Sequence, residues 1–170
     1  SGALPGHVGL RFGLARIDGV DYDLRGAIEL RRHGAPGFDR IAGIAVPDRP
    51  IAALHVLLIA PLATPANEVR DYAWLRLHYA DGNRARVPIR TRVDVPGLGR
   101  REPPTPIGWI RADFQRQIGM MRLQEISNPR LVNPHPERRI MSLDLETPPD
   151  AWSNPVFFAI TAEPVISSDE

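Results

Sequence analysis

Hydrophobic and polar residues alternate along much of this chain with the period of two that is typical of half-buried β-strands. Residues 8–14 carry an apolar side chain at every second position, ending with Leu14. Ile44 and Val46 continue this pattern and lead into the proline-containing turn 47–50. Each of these segments is therefore predicted to be a strand with one face in a core.

A nearly continuous apolar run occupies residues 53–60. Such a run is typical of a strand buried on both faces, with a short core helix as the alternative. Its length and the prolines at positions 50 and 61 favour a strand. The one polar residue in the run, His55, is interpreted as a buried, hydrogen-bonded histidine.

A β-hairpin is predicted around residues 80–83, which read Ala-Asp-Gly-Asn. Residues 71–79 and 84–89 alternate on either side of this turn, and Asp-Gly favours a hairpin because both residues tolerate a positive φ. One face of the hairpin is apolar, whereas the other is aromatic and cationic. That second face is expected to carry Tyr72, Trp74, Arg76, His78, Arg84 and Arg86.

Further strands are predicted within 109–123, at 140–145 and at 156–162, with a loop at 95–106. No segment has the pattern of a capped helix longer than about three turns. Short strands separated by turn signals indicate a sandwich or barrel. We expect residues 1–170 to form a single domain, with flexible ends at 1–6 and 164–170.

The composition fits one domain with many turns: 43% of the residues are hydrophobic, and there are 18 prolines and 14 glycines. The net charge of +1 provides no strong field, so we expect neither nucleic acid nor an anionic membrane as partner. All 21 basic residues are arginine, which we attribute to coding bias. Without cysteine, disulfides and thiolate sites are excluded. The apolar run 51–63 is too short for a membrane span of ~20 residues.

Residues 133–146 form a proline-fixed loop, Asn-Pro-His-Pro, followed by an alternating strand that contains Ile-Met-Ser-Leu-Asp. This pattern resembles a loop and strand near the end of jelly-roll modules of the galactose-binding-domain-like superfamily, which are appended to bacterial envelope proteins. Residues 41–60, 79–82 and 156–161 resemble further elements of these modules, in the same order. Val132 stands where an aromatic residue often precedes the loop. The resemblance implies a jelly-roll β-sandwich of roughly eight to ten antiparallel strands.

The aromatic and cationic hairpin face is the first candidate ligand-binding site. An aromatic ring beside guanidinium groups at strand spacing can stack on a sugar ring or bind an acidic group. Alternatively, the aromatic residues pack under a neighbouring loop while the arginines are solvated. The residues we select from this face are Trp74, Arg76, His78, Arg84 and Arg86.

The loop 133–139 is the second candidate site. Its prolines fix φ and reduce the entropy lost on ordering. Asn133, His135 and Arg138 carry polar groups suited to a sugar hydroxyl or a carboxylate. Alternatively, the loop only ends one strand and begins the next, which is a routine role for Asn and Pro.

Motifs for catalysis or metal binding are weak. There is no nucleophile elbow, zinc-protease helix or phosphate loop, and no two histidines have metal-ligand spacing. Residues 18–23 are rich in Asp but lack the glycine spacing and terminal Glu of an EF-hand, so we interpret them as a solvated loop. We expect no cofactor and no catalytic residue; the resemblance leaves a structural calcium ion as an alternative.

We therefore expect a non-catalytic ligand-binding or sensing module, related to carbohydrates or to the bacterial envelope, with a carbohydrate or protein partner. It could be the extracytoplasmic part of a membrane-anchored regulator. One alternative is a small glycoside or ester hydrolase with carboxylates contributed by loops; another is a structural protein–protein module. The resemblance implies a periplasmic or extracytoplasmic location. Ser1-Gly2 looks like a cloning remnant, so the lack of an export signal does not argue against this location.

Overall fold

The computed structural model of this chain describes residues 13–32, 34–59, 68–95, 109–112, 124–151 and 154–166. Every regular element within these ranges is a β-strand, which confirms the all-β prediction. The strands are β1 (Gly13–Ile17), β2 (Val20–Leu24), β3 (Ile28–Glu29), β4 (Arg40–Ala45), β5 (Ile51–Ile59), β6 (Asp71–Tyr79), β7 (Arg84–Arg90), β8 (Trp109–Ala112), β9 (Gln124–Ser127), β10 (Arg130–Val132), β11 (Ile140–Glu146) and β12 (Val156–Pro164). These twelve described strands exceed the eight to ten predicted, since strands as short as β3 and β10 show no alternation. No helix among these residues is long and apolar enough to cross a membrane.

The strands form three sheets, and every strand pairing is antiparallel. The largest sheet has the order β3-β12-β5-β9-β8, and β10 pairs with the same edge of β5 as β9. A four-stranded sheet has the order β4-β11-β6-β7, and β1 and β2 form a separate hairpin. Most neighbours in the two larger sheets are distant in sequence, so long-range pairing assembles both sheets.

The two larger sheets share one hydrophobic core. Leu54, Val56 and Leu58 of β5 face it from one sheet, and Leu75 and Leu77 of β6 face it from the other. All five side chains are almost completely buried. Burial of one such side chain contributes ~1.5–3 kcal/mol, so this core is the main interaction that holds the sheets face to face.

The β1–β2 hairpin covers the opposite face of the six-stranded sheet. Tyr22 and Leu24 of the hairpin pack against Leu57 and Ile59 of β5. The Tyr22 hydroxyl also donates a hydrogen bond to the Asn128 side chain. β5 is therefore buried on both faces, which confirms the interpretation of its apolar run.

The hairpin predicted around residues 80–83 is present and joins β6 to β7. Leu77 lies opposite Ala85 and His78 opposite Arg84, so alternate residues share a face as predicted. Gly82 supplies the turn with a φ of 83°, a conformation that glycine adopts at little cost.

Two predicted strand faces were wrong. Leu14 is 87% exposed. Pairing with β2 places Ala15 beside the buried Tyr22, so the adjacent Leu14 points to the opposite, solvent-facing side. Tyr72 lies in the shared core instead of on the polar hairpin face. The β6–β7 register shifts between Asp71 and Ala73, and this irregularity turns Tyr72 inward.

The C-terminal boundary also differs from the prediction of a flexible end at 164–170. Pro164 belongs to β12, and the Val165 N–H donates to Pro50 O at 3.2 Å. The predicted end at 1–6, the predicted strand before Gly13 and, apart from Val95, the predicted loop at 95–106 lie outside the described residues.

A β-bulge interrupts β4 at Gly43. The pairing with β11 shifts by one residue, so that Ala42 and Gly43 together lie opposite Asp144. Gly43 has a φ of 74°, in the left-handed region that residues with a side chain avoid. Its N–H points at the Asp144 carboxylate, at 2.8 Å, instead of joining the strand ladder.

Replacing Gly43 with Ala is expected to destabilise the protein by about 1–2 kcal/mol, since the left-handed conformation costs an L-residue about that much. An added Cβ would meet no atom within 4 Å, so the cost would be conformational, not steric. Chemical denaturation of the variant measures it.

Gly26→Ala is the matched control, because its added Cβ also meets nothing within 4 Å and its φ lies outside the left-handed region. This variant should keep or slightly gain stability. Equal losses of stability from both substitutions would contradict the conclusion that the left-handed conformation of Gly43 causes the loss.

Candidate ligand-binding site on the four-stranded sheet

One face of the four-stranded sheet points away from the shared core, and we call it the outer face. The leucines of β6 and β11 point into the core, so the residues between them point outward. The pairing registers place aromatic and charged side chains on this outer face, among them Arg40, Trp74, Arg76, His78, Arg84, Arg86, Asp144 and Glu146.

Asp144 is a carboxylate on the outer face that is only 2% exposed. Arg40 Nη2 donates to its Oδ2 at 2.6 Å, and His78 Nε2 lies 2.6 Å from the same oxygen. The bulged Gly43 N–H donates to Oδ1. Both carboxylate oxygens thus have partners, which offset the cost of burying the charge.

Glu146, two residues further along β11, is also buried and paired. Arg76 binds it through two hydrogen bonds, Nε to Oε1 at 2.9 Å and Nη2 to Oε2 at 2.7 Å. Arg40 Nε lies 3.3 Å from Oε1, so Arg40 bridges both carboxylates. His78, Asp144, Arg40, Glu146 and Arg76 therefore form one charge network that connects β4, β11 and β6.

The charge network keeps the Asp144 carboxylate ionised. Burial by itself would raise the pKa of Asp144, but hydrogen bonds from His78, Gly43 and Arg40 outweigh it and lower the pKa to about 2. The hydrogen bond to Glu146 raises the pKa of Arg76. Two carboxylates and two guanidinium groups thus contact one another in the network.

Trp74 and Arg86 form a stacked pair next to the charge network. Arg86 Cζ lies 4.0 Å from the centroid of the indole ring, which is a cation–π geometry. The indole Nε1–H donates to Asp71 at 2.8 Å and thereby orients the ring. Arg84 lies two residues away on the same exposed face. Neither Arg84 nor Arg86 forms an ion pair with any residue that the structure describes.

The loop 133–139 lies against the β6–β7 hairpin, and its first residue is structural. Asn133 is 2% exposed. Its Oδ1 accepts from the Tyr79 hydroxyl at 2.7 Å and from the His135 N–H at 3.0 Å. Its Nδ2 donates to the carbonyl oxygens of Ile51 at 2.9 Å and His135 at 3.1 Å. A ligand bound by Asn133 would have to replace one of these bonds.

His135 and Arg138 are more accessible than Asn133. The His135 ring meets the Tyr79 ring edge to face, with centroids 5.7 Å apart. Arg138 Nη1 lies 3.3 Å from an oxygen of Asp81 in the hairpin turn. Both side chains thus dock the loop on the end of the β6–β7 hairpin and remain partly open to solvent.

The five residues predicted on the hairpin face do share one face, but their surroundings divide them. Arg76 and His78 are held in the charge network, whereas Trp74, Arg84 and Arg86 lie outside it. The three predicted loop residues lie by the hairpin turn instead. Ligand contact stays a prediction for all eight residues.

Arg40, Asp144 and Glu146 are the members of the charge network that sequence reasoning did not select. A signal was present, because the strand Ser-Leu-Asp-Leu-Glu at 142–146 has an acid at alternate positions. Arg76 and His78 of β6 are likewise two residues apart. However, only the strand pairing reveals that β6 and β11 are neighbours.

A second charged group lies on the outer side of the six-stranded sheet. Glu163 accepts two hydrogen bonds of 2.7 Å from Arg130 and lies 2.8 Å from His55 Nε2. The hydrogen bond from Arg130 is the largest factor that lowers the pKa of Glu163 to about 2. His55 is largely buried and hydrogen-bonded, as interpreted from the sequence.

Two histidine–carboxylate pairs, His55–Glu163 and His78–Asp144, lie among the described residues. No hydroxyl group of the described residues hydrogen-bonds to His55 or His78. The same residues contain no group of three or more potential metal ligands. Residues 18–23, interpreted from the sequence as a solvated loop, form the β1–β2 turn and most of strand β2. Asp18 lies in this turn with a φ of 48°.

No protein-family model matches the sequence, and no curated protein or solved structure is significantly similar to it. The galactose-binding-like resemblance therefore rests on the residues themselves. The function has to be inferred from the chemistry of the outer face.

We expect acid to destabilise this protein partly through Asp144. The pKa of this residue in the folded state, about 2, lies below its ordinary value of 3.8. The stabilisation of about 2 kcal/mol is therefore complete above pH ~4 and is lost as the pH falls toward ~2. Denaturation of the parent and of Asp144→Asn between these pH values should show a flatter pH dependence in the variant.

Asp150→Asn is the control, since Asp150 is exposed and forms no ion pair with a described residue. This variant should follow the parent over the same interval. An Asp144→Asn variant that also follows the parent would show that Asp144 does not carry this acid sensitivity.

Asn133→Ala should cost about 2 kcal/mol or more, because it leaves buried donors and acceptors without partners. Arg138→Ala should cost no more than ~0.5 kcal/mol, as is usual for an exposed side chain. Thermal and chemical denaturation test both values. Similar losses from the two substitutions would show that Arg138, too, is structurally required.

Proposed function

We propose that this chain is a non-catalytic, ligand-binding β-sandwich module that binds carbohydrate on the outer face of its four-stranded sheet. The observation that carries this proposal is the stack of the half-buried Trp74 and the exposed Arg86, with Arg84 beside it. Arg84 and Arg86 have no acid partner among the described residues, whereas the neighbouring charges are already paired. A surface of this kind supports binding rather than bond cleavage.

The outer face combines the two features that sugar recognition needs. Trp74 offers an aromatic surface against which the apolar side of a sugar ring can pack. The guanidinium groups of Arg84 and Arg86 donate several hydrogen bonds in a fixed planar arrangement. Because a sheet face is broad, a ligand can lie across it without a deep cavity.

The antiparallel sheets and the motif around 133–146 support a jelly-roll module similar to the galactose-binding-domain-like superfamily. If so, the module acts in the periplasm or another extracytoplasmic compartment, where envelope glycans are accessible. The loop 133–139 then provides a secondary contact through His135 and Arg138.

A panel of soluble glycans, titrated into the protein with calorimetry and tryptophan fluorescence, tests the proposal directly. Saturable binding of at least one glycan, competed by its own oligosaccharides, is the expected result. Hydrolysis of the bound glycan would contradict the non-catalytic assignment. No binding across neutral and acidic glycans would overturn the carbohydrate assignment.

Trp74→Ala should weaken glycan binding by about tenfold or more, because an aromatic contact of this kind is worth ~1.4 kcal/mol or above. Its stability should change by less than ~1 kcal/mol, since the lost interactions are mainly the cation–π contact and one surface hydrogen bond. Calorimetry measures the affinity, and denaturation measures the stability.

Arg76→Ala provides the comparison from the same strand face. It leaves the buried Glu146 with Arg40 as its remaining partner, so we expect a loss of about 2–3 kcal/mol in stability. A Trp74→Ala variant as unstable as Arg76→Ala would show that Trp74 is a packing residue.

A further inference from the structure

We infer that the ligand of the outer face is an anionic glycan whose carboxylates are bound by Arg84 and Arg86. This inference rests on the proposed function and specifies its ligand class. It follows from the charges of the outer face, the fixed position of Arg86 and the protected strand edges.

The charges of the outer face leave a local positive surplus. Asp144 and Glu146 are matched by Arg40 and Arg76 within the charge network. At the end of the sheet, Arg90 Nε lies 3.4 Å from Asp71. Arg84 and Arg86 remain, with no acid partner among the described residues. A ligand with negative charge complements this surplus.

Arg86 is positioned before any ligand arrives. Asp71 orients the indole of Trp74 through a hydrogen bond of 2.8 Å, and the indole holds the Arg86 guanidinium at 4.0 Å. Such positioning reduces the side-chain entropy that binding has to overcome. The stacked guanidinium still presents N–H groups at its edge, which is the geometry that binds a carboxylate through two hydrogen bonds.

Arg84 and Arg86 are two residues apart on β7, so their backbone positions are about 7 Å apart. Two guanidinium groups at this separation can contact carboxylates on an extended acidic chain. The adjoining indole of Trp74 can contact the ring of a bound uronate residue. A polymer of uronic acids therefore satisfies both the charge and the stacking surface.

The edges of the sheet are less suited than its face to an added peptide strand. Among the described residues, β7 pairs only with β6, so its other edge is unpaired. The hydrogen bond from Tyr79 N–H to Asn83 O shows which residues of β7 direct their backbone groups toward β6. In that ladder Pro88 lies at a position whose backbone faces away from β6, and proline has no N–H to donate. The bulge at Gly43 disrupts the opposite edge, on β4.

Polygalacturonate and its methyl ester form a matched pair of probes, because esterification removes the charge while keeping the sugar chain. We expect calorimetry with the full-length protein to show that the acid binds at least tenfold more tightly than the ester. The affinity for the acid should fall steeply as salt is added. Equal binding of acid and ester would overturn the inference while leaving the proposed function in place. Failure of both, and of all neutral glycans, would overturn the proposed function itself.

The double variant Arg84→Gln/Arg86→Gln tests the assigned residues. It should lose the preference for the acid over the ester, with about a tenfold loss for each charge-assisted contact. Arg25→Gln is the matched control, since Arg25 is an exposed arginine that follows β2, outside the four-stranded sheet. It should bind both probes like the parent.

Two results would place the acidic ligand elsewhere. A double variant that is stable and still prefers the acid would remove Arg84 and Arg86 from the site. Binding of poly-glutamate, but not of polygalacturonate, with the same dependence on these arginines would assign the surface to an acidic protein and overturn the glycan inference.

Discussion

The burial of β5 on both faces is the constraint on which the rest of the fold depends. One face of this strand packs against the four-stranded sheet, and the other packs against the β1–β2 hairpin. Its two edges pair with β12 on one side and with β9 and β10 on the other. Because β5 has a neighbour in every direction, it fixes the layers relative to one another. The outer face of the four-stranded sheet is left as the polar surface of this arrangement.

That outer face is unusual in carrying nearly buried carboxylates on a side that points away from the core. Asp144 and Glu146 are shielded by the side chains that neutralise them, above all Arg40, which bridges both. Such a network is costly to bury and therefore sensitive to the loss of one member. It joins β4, β11 and β6 but does not include β7. Two arginines of β7, Arg84 and Arg86, consequently have no acid partner among the described residues.

The charge network is internally paired, whereas Arg84 and Arg86 have no acid partner among the described residues, and this difference is the basis of the proposed site. A binding surface needs charges that are not already satisfied, together with a rigid support that keeps them in place. The charge network and the Trp74–Arg86 stack supply the support, and the positive surplus on β7 supplies the free charge. The group of Glu163, Arg130 and His55 on the opposite side of the molecule is internally paired, which makes it a weaker candidate for binding.

The sequence by itself determined the all-β class, the doubly buried β5 and the hairpin around residues 80–83, because each depends on local periodicity or turn chemistry. It also identified the aromatic and cationic set on β6 and β7. It misassigned Leu14 and Tyr72, since a register or a bulge decides which face a residue takes. Only the tertiary structure decided that Arg76 and His78 are held in a network while Arg84 and Arg86 are not. The reason is physical: the partners of Arg76 and His78 lie on β11, about 70 residues away in sequence, and no local pattern encodes that pairing.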